Sequence, residues 1–474
     1  MSYQDLRSFI NKLEEEKLLI RYDEEVKLEP DVRTILSAGM RMKDSPAIMM
    51  NNIQGFKEGT TIVGNVHGSW KSNAIMLGMD KNATIKEQFF HMAEKWDHYD
   101  KGSVKYIENP PCQEVVKEDN INLFEDLPLH RINIHDGGTY LSKALTITKD
   151  LDDPDSLDKE NVGIYRIQVQ HPDILALHVM PFHDGGRHVS IAEERNEAMP
   201  IAVCIGVPPI LATMASTPLN YDQSEYKFAS LFDGAPFELA KCIGSNLDVP
   251  AYAEYVLEGE LIPRQRFFEG PFGEFPGSYS GAKRVYHVRI KRITHRKNPI
   301  FETLYIGRPW TEHDTLIGLS TSVPIYKQLK ETMPEVKCVN ANYQHGLTAI
   351  VSTDLRFGGY GKTVAMRVAT TPHGISYCKN IIVVDGDVDP FDLEQVMWAL
   401  NTRVRADKDV TVITNTPGFQ LDPTSNPPGM GNKLIIDATT PEYPDTIRDF
   451  QMIDEVEGFE AMKKKLEGLM EVEK

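Results

Sequence analysis

Cysteine is scarce in this chain. The five, Cys112, Cys204, Cys242, Cys338 and Cys378, are scattered over 474 residues with no C-x-x-C pair. That spacing excludes a zinc knuckle or a disulfide framework and predicts reduced thiols in a cytosolic protein. Positive charge is also short: 51 basic against 69 acidic residues give a formal charge of −18, and no basic run exceeds the KKK at 463–465. A nucleic-acid partner is excluded on that balance. No segment reaches the ~18 consecutive apolar residues of a membrane span. The opening stretch spaces Leu6, Phe9, Ile10 and Leu13 as an amphipathic helix rather than a signal peptide. Low-complexity tracts are missing as well. The 41% hydrophobic content is therefore expected to build packed cores, and the length calls for more than one domain.

What is there falls into three textures. Residues 1–115 alternate strand-like and helix-like runs (LLIRYD, a helix after Pro30, AIMMNNI, IKEQFFHMAEKW), which predicts an N-terminal α/β domain. The polar, proline-bearing stretch at 105–120 reads as a linker. Over 116–310, short strands such as LTITKD, VGIYRIQVQ, IAVCIGV, YVLEGEL and VYHVRIKRITHR are divided by turns, the texture of a barrel or sandwich. Residues 311–474 alternate again and predict a C-terminal α/β domain. It ends on an amphipathic helix whose Phe459, Met462, Leu466 and Leu469 pack either on a partner subunit or on their own domain.

Three near-motifs lead nowhere. RFGGYGKT at 356–363 ends like a phosphate loop, but that spacing needs glycine where Arg356 stands. DGDVDPFDLEQV at 385–396 opens like a calcium loop, yet Pro390 replaces its glycine and Val396 its final glutamate. It reads instead as a strand end followed by a helix near Asp392. The repeated HDGG at 135 and 183 has unrelated flanks, and similar turns suffice to explain it.

Chemistry concentrates in the middle region. FFEGPFGEFPGSYSG at 267–281 sets Glu269 and Glu274 five positions apart among four glycines and two prolines. NVGIYRIQVQ, read as one strand, puts Asn161, Gly163 and Tyr165 on one face and Val162, Ile164 and Arg166 on the other. His178, His183 and His188 recur every five residues, a spacing that suits one histidine beside a turn rather than three metal ligands. MASTPLNYDQSEY places small residues with free amides ahead of Glu225, a composition able to cradle phosphate. Each feature is weak by itself.

In order, Asn161, Arg166, His183, Glu225 and E-G-P-F-G-E at 269–274 resemble the UbiD family of decarboxylases, which use prenylated flavin mononucleotide. The blocks PIFETLYIGRPWTE, TTPHGISYCK, DVDPFDLEQVMWAL and LDPTSNPPG extend the likeness nearly end to end. It is strongest to the large subunit of the non-oxidative 4-hydroxybenzoate and vanillate decarboxylases. The resemblance implies a multi-domain α/β architecture with a central split β-barrel that binds the flavin, residues 116–310, and a C-terminal oligomerisation domain. It implies Asn161, His183 and Glu225 as ligands of a divalent ion, usually manganese, which joins the cofactor phosphate to the protein, with potassium nearby. Further cofactor contacts would come from Ile164, Tyr165, Arg166, Ala215, Ser216, Thr217 and Lys362. Glu274 would be the proton donor within a set completed by Arg166 and Glu269.

Removing carbon dioxide from an aromatic ring leaves an in-plane carbanion that the π system cannot delocalise, so an electron sink is needed. The resemblance implies that the flavin provides it through a covalent adduct and that a glutamate protonates the ring carbon. Two neighbouring carboxylates raise at least one pKa, while an arginine between them keeps the other ionised. The expected activity is reversible decarboxylation of a small, para-hydroxylated aromatic acid of the 4-hydroxybenzoate type, with release of carbon dioxide. A flavin prenyltransferase would supply the cofactor to a cytoplasmic homo-oligomer, a dimer or a hexamer. Alternatives within the family are a polyprenylated hydroxybenzoate or a heteroaromatic acid as substrate. Outside it, an FMN-dependent reductase is disfavoured because hydride transfer needs no such glutamate pair. A catalytically silent assembly subunit would lack a matched residue, and none is missing.

Overall fold

Two long antiparallel strands, Tyr255–Glu269 and Lys283–His295, form the spine of the molecule. The coordinates are a computed structural model that describes residues 5–442 except 182, 309, 343 and 345, and then 444, 453 and 456–471. Along one side of the spine lie Ile174–His178, Arg166–His171 and Tyr140–Leu141; along the other lie Met199–Ile205, Leu145–Lys149 and Glu160–Ile164. The inward faces are nearly all Val, Ile and Leu, with Leu257, Leu261, Val288, Ile290 and Ile293 buried in the spine itself.

NVGIYRIQVQ is not the single strand its alternation predicts. It forms two strands, Glu160–Ile164 and Arg166–His171, which lie at far-separated positions of this sheet and are joined only by Tyr165. Six strand intervals of a flat sheet would separate them by ~29 Å. Two residue steps span at most ~7 Å. The sheet must therefore curl until its two sides meet at Tyr165, which brings Asn161 and Arg166 to the same region.

A four-stranded sheet precedes this layer in sequence, in the order Leu19–Tyr22, Ala47–Met50, Thr61–Gly64 and Ile300–Glu302. Its last strand comes from the far end of the middle region, so this sheet crosses the expected domain boundaries. The supposed linker is likewise built in: Val104–Tyr106 pairs with Phe237–Lys241, Val115–Lys117 pairs with the spine, and Cys112 between them is buried. The C-terminal part is a five-stranded sheet in the order Val336–Asn340, Thr348–Thr353, Asn380–Asp385, Met430–Ala438 and Val410–Pro417. Asp392 caps the helix Leu393–Arg403 by accepting the Glu394 and Gln395 amides. The N-terminal helix Leu6–Glu15 is capped by Asp5 and buries the four apolar residues that its spacing singles out. The final helix, Phe459–Glu471, leaves Phe459, Met462, Leu466 and Leu469 each 43–59% exposed. All five cysteines are free and buried.

The three regions meet at a buried ammonium. Lys143 Nζ donates to Glu302 Oε1 at 2.6 Å, to Glu312 and to His67 Nδ1 at 2.9 Å, and all four side chains are buried. Glu312 also accepts the backbone amides of Asn65 and His67 at 2.8 and 2.9 Å. Burial alone would raise the Glu312 carboxyl, but the Lys143 ammonium and His67 pull it down to about 2. His67, Glu302 and Glu312 have the mutual spacing of metal ligands. Lys143 itself stands among them as the cation. Because removing one member of a buried ion cluster strands the others, Lys143→Met should destabilise the protein by about 3–5 kcal/mol. Chemical denaturation checks this, and a change below about 1 kcal/mol would mean that the carboxylates simply take up protons.

Candidate active site

The glutamate-bearing loop at 270–282 hangs from the end of the spine. Glu269 is the last residue of Tyr255–Glu269, and the turn that follows carries Glu274 back toward Arg166, the first residue of its own strand. Gly273 N–H donates to Asp136 Oδ1 at 2.8 Å, and Asp136 Oδ2 accepts the Asn133 amide at 2.7 Å, which fixes the turn from below.

Arg166 bridges both glutamates. Its Nη2 donates to Glu269 Oε2 at 2.5 Å, and its Nη1 donates to Glu274 Oε1 and, at 3.0 Å, to Ser280 Oγ. The Phe272 ring lies 5.2 Å from the guanidinium carbon. Glu269 is fully buried and accepts a second bond on Oε1, from the Tyr140 hydroxyl at 2.7 Å. Both Glu269 oxygens are thus engaged by donors, one of them in an ion pair with Arg166. Glu274 differs. Burial pushes its pKa up, Glu269 adds to the rise, and Arg166 and Lys283 oppose it.

Glu274 borders a cavity of about 440 Å³ that is also lined by Asn161, Ile164, Tyr165, His183, Ala215, Ser216, Thr217 and Glu225. Arg166 and Glu269 stand behind Glu274 rather than on the cavity wall. Lys362, expected at the same site, does not border it: its Nζ donates to the Lys408 carbonyl at 2.7 Å. The three histidines also part company. His183 lines the cavity, His188 is buried between Thr148 and Tyr221, and His178 sits beside Arg166 across the sheet.

Two helices begin at the far side of the cavity, Asp184–Arg195 directly after His183 and Glu225–Asp233 with Glu225 itself. Burial holds the His183 imidazole down to about 4, so the ring is neutral near pH 7. The buried Glu225 carboxyl, raised well above its ordinary pKa by burial, accepts the Val162 amide at 3.3 Å. Nearby, Asn161 Nδ2 is buried with no hydrogen-bond partner among the described residues. An amide, a neutral imidazole and a buried carboxyl around one space are a donor set that fits a divalent cation.

Sequence reading missed the opposite wall. Five rings form a continuous chain there: His313 stacks on Phe275 at 5.4 Å, Phe275 meets Phe419 at 5.6 Å, Phe419 meets Tyr377 at 4.9 Å, and Tyr377 stacks on His373 at 4.5 Å. Burial lowers His313 to about 4 and His373 to about 3, with His183 adding to the latter. It also raises Tyr377 to about 12, so all three are uncharged at neutral pH. The block TTPHGISYCK was visible in sequence, but no spacing rule links residues so far apart. The repeated HDGG also gains a reason. A Cβ on Gly137 would come within 2.2 Å of the Gly270 carbonyl, and one on Gly185 within 2.9 Å of Tyr165 Oη, so each copy lets backbone pass close to this site.

Family models for the N-terminal, Rift-related and C-terminal domains of 3-octaprenyl-4-hydroxybenzoate carboxy-lyase match residues 10–92, 105–309 and 314–438. The chain belongs to the UbiD family of carboxy-lyases. A phenolic acid decarboxylase of Sedimentibacter hydroxybenzoicus is 52% identical over 473 residues, covering 99% of this chain and 98% of that one. The closed form of the vanillic acid decarboxylase from the same organism superposes with a TM-score of 0.93 at 51% identity, over 99% of both chains. An evolved dimeric form of the UbiD-class enzyme HmfF from Pelotomaculum thermopropionicum, in complex with prenylated FMN, superposes with a TM-score of 0.80 at 26% identity, over 97% of this chain and 98% of that one. The three-domain UbiD architecture is therefore shared along the whole chain.

Within this UbiD-family site, the Tyr140 hydroxyl is a support for the Glu269 charge. Tyr140→Phe should cost about 1.5–3 kcal/mol, the range for a hydrogen bond to a charged group. Combining it with Glu269→Gln should cost less than the sum of the two single changes, and a double-mutant cycle by denaturation reads the coupling. Strict additivity would show that the contact carries no energy.

Proposed function

We propose that the chain decarboxylates a small aromatic acid with a para hydroxyl, and that Glu274 delivers the proton that replaces the carboxyl group. The observation that carries this reading is a buried carboxyl with a raised pKa, held by an arginine at the edge of a cavity walled by aromatic rings. A wall of stacked, uncharged rings suits a planar aromatic substrate. The phenolic and vanillic acid decarboxylases to which the chain is similar support the para-hydroxylated class.

Asn161, His183 and Glu225 would hold a divalent ion, manganese for preference, with potassium close by. Ala215, Ser216, Thr217, Ile164 and Tyr165 would line the place of a prenylated flavin, and the curled central sheet would be its split barrel. When bound, that flavin supplies the electron sink that direct loss of carbon dioxide from a ring requires. The chain's own residues do the rest. Arg166 keeps Glu269 ionised and fixes the Glu274 carboxyl. Glu274 gives its proton to the ring carbon that has lost carbon dioxide, and Arg166 stabilises the carboxylate left behind. A para hydroxyl pushes electron density toward that carbon, which eases the reaction. In the same reading a flavin prenyltransferase supplies the cofactor, and the half-exposed apolar stripe of the final helix supports a homo-oligomer.

Two tests follow from the separate jobs of these residues. His183→Ala or Glu225→Ala should lose bound metal and flavin together, because one ion would join phosphate to protein; metal analysis and absorption spectra check it, and full retention in both variants overturns the assignment. Glu274→Gln should keep both and lose turnover by the ~10²–10⁴-fold typical of a removed general acid. Hydrogen–deuterium exchange at the product's former carboxylate carbon should fall with it. Exchange at the unmodified rate would remove Glu274 from the chemistry.

A further inference from the structure

Four neighbouring strands of the central sheet end at the same edge, and each brings a titratable side chain there: Arg166, His178, Lys283 and Glu269. Register sets Arg166 opposite His178 and Glu269 opposite Lys283. Directly opposed residues project to one face of a sheet. Lys283 therefore stands on the same side as the Glu269 carboxylate that Arg166 grips. His178 brings no charge to this group, since burial and the neighbouring Arg166, Lys283 and His183 hold it down to about 3.

Among the charged members, Lys283 is the one with no fixed task. It is partly buried, and its ammonium makes neither a hydrogen bond nor an ion pair among the described residues. The charges that face it are Arg166, Glu274 and Glu269. Burial and Arg166 lower its pKa, and the two carboxylates oppose that fall. The influence is mutual, because Lys283 lowers the proton affinity of Glu274.

We propose that Lys283 is a positioning residue for the proton step, whose ammonium balances the Glu274 carboxylate formed when the proton leaves. This rests on the reading of Glu274 as proton donor. In that step the Glu274 O–H bond breaks, a C–H bond forms at the ring carbon, and the carboxylate is later protonated again from water. With Glu274 protonated, Arg166, Lys283 and Glu269 leave the group with a net positive charge. Loss of the proton brings it to neutrality. Without Lys283 the same loss would leave a net negative charge in a buried site, which is the costlier state.

The test reads Glu274 directly. Infrared titration of its carboxyl band, isolated by subtracting the spectrum of Glu274→Gln, is carried out on the flavin-free protein. Lys283→Met should move the midpoint up by roughly one to three pH units, the effect of removing a nearby opposite charge. Lys283→Arg should leave it in place, and Lys283→Gln is a second neutral variant should Met not be tolerated. An unmoved midpoint in the neutral variants overturns the proposal. With holoenzyme in D2O, exchange at the para carbon of phenol needs ionised Glu274, so its acid limb should shift upward with the infrared midpoint. A lower rate with an unmoved limb would mark Lys283 as merely structural and also overturn it. If Glu274→Gln exchanged at the unmodified rate, the donor role of Glu274 would fall, while an infrared shift in Lys283→Met would still establish the coupling.

Discussion

The arrangement depends on one buried guanidinium. Arg166 has to satisfy two buried carboxylates that would otherwise repel each other, and it does so with two separate nitrogens. The two acids are not equivalent partners. Glu269 is completed by the Tyr140 hydroxyl, whereas Glu274 borders the cavity. That asymmetry gives two chemically identical side chains different surroundings, the condition under which paired carboxyls take different roles.

The curl of the central sheet is what makes this pairing possible. Arg166 and Asn161 are close in sequence, yet they belong to strands on different sides of the sheet, and Tyr165 is the only residue between those two strands. One short segment therefore serves two groups: Asn161, on the cavity wall, the donor group around His183 and Glu225, and Arg166, behind that wall, the glutamates. The separation of Asn161 and Arg166 is thereby set by the backbone itself rather than by two independently moving loops.

Local features were legible in the sequence and long-range ones were not. The Asp392 cap and the apolar stripe Leu6, Phe9, Ile10, Leu13 follow from short-range rules, and the structure shows both. The break at Tyr165 escaped because alternation records which side chains are apolar but not which strand supplies the hydrogen bonds. The supposed linker at 105–120 is polar enough for a loop, yet each of its ends finds a strand edge to complete. For the site, Glu269, Glu274 and Arg166 came from family order, and the structure places them in one bridge. The ring chain from His313 to His373 was out of reach because its members come from four separate stretches. Lys362, taken from its place in the family order, lies outside the cavity lining, where its ammonium donates to the Lys408 carbonyl.

Lys143 gives the junction of the three regions a different kind of durability. Its positive charge is covalently part of the chain, so no chelator can strip it and no competing ion can take its place. Scarcity of a nutrient metal in the cell would leave this joint intact. A newly made chain can thus close His67, Glu302 and Glu312 around their cation during folding itself, without waiting for anything to arrive from outside.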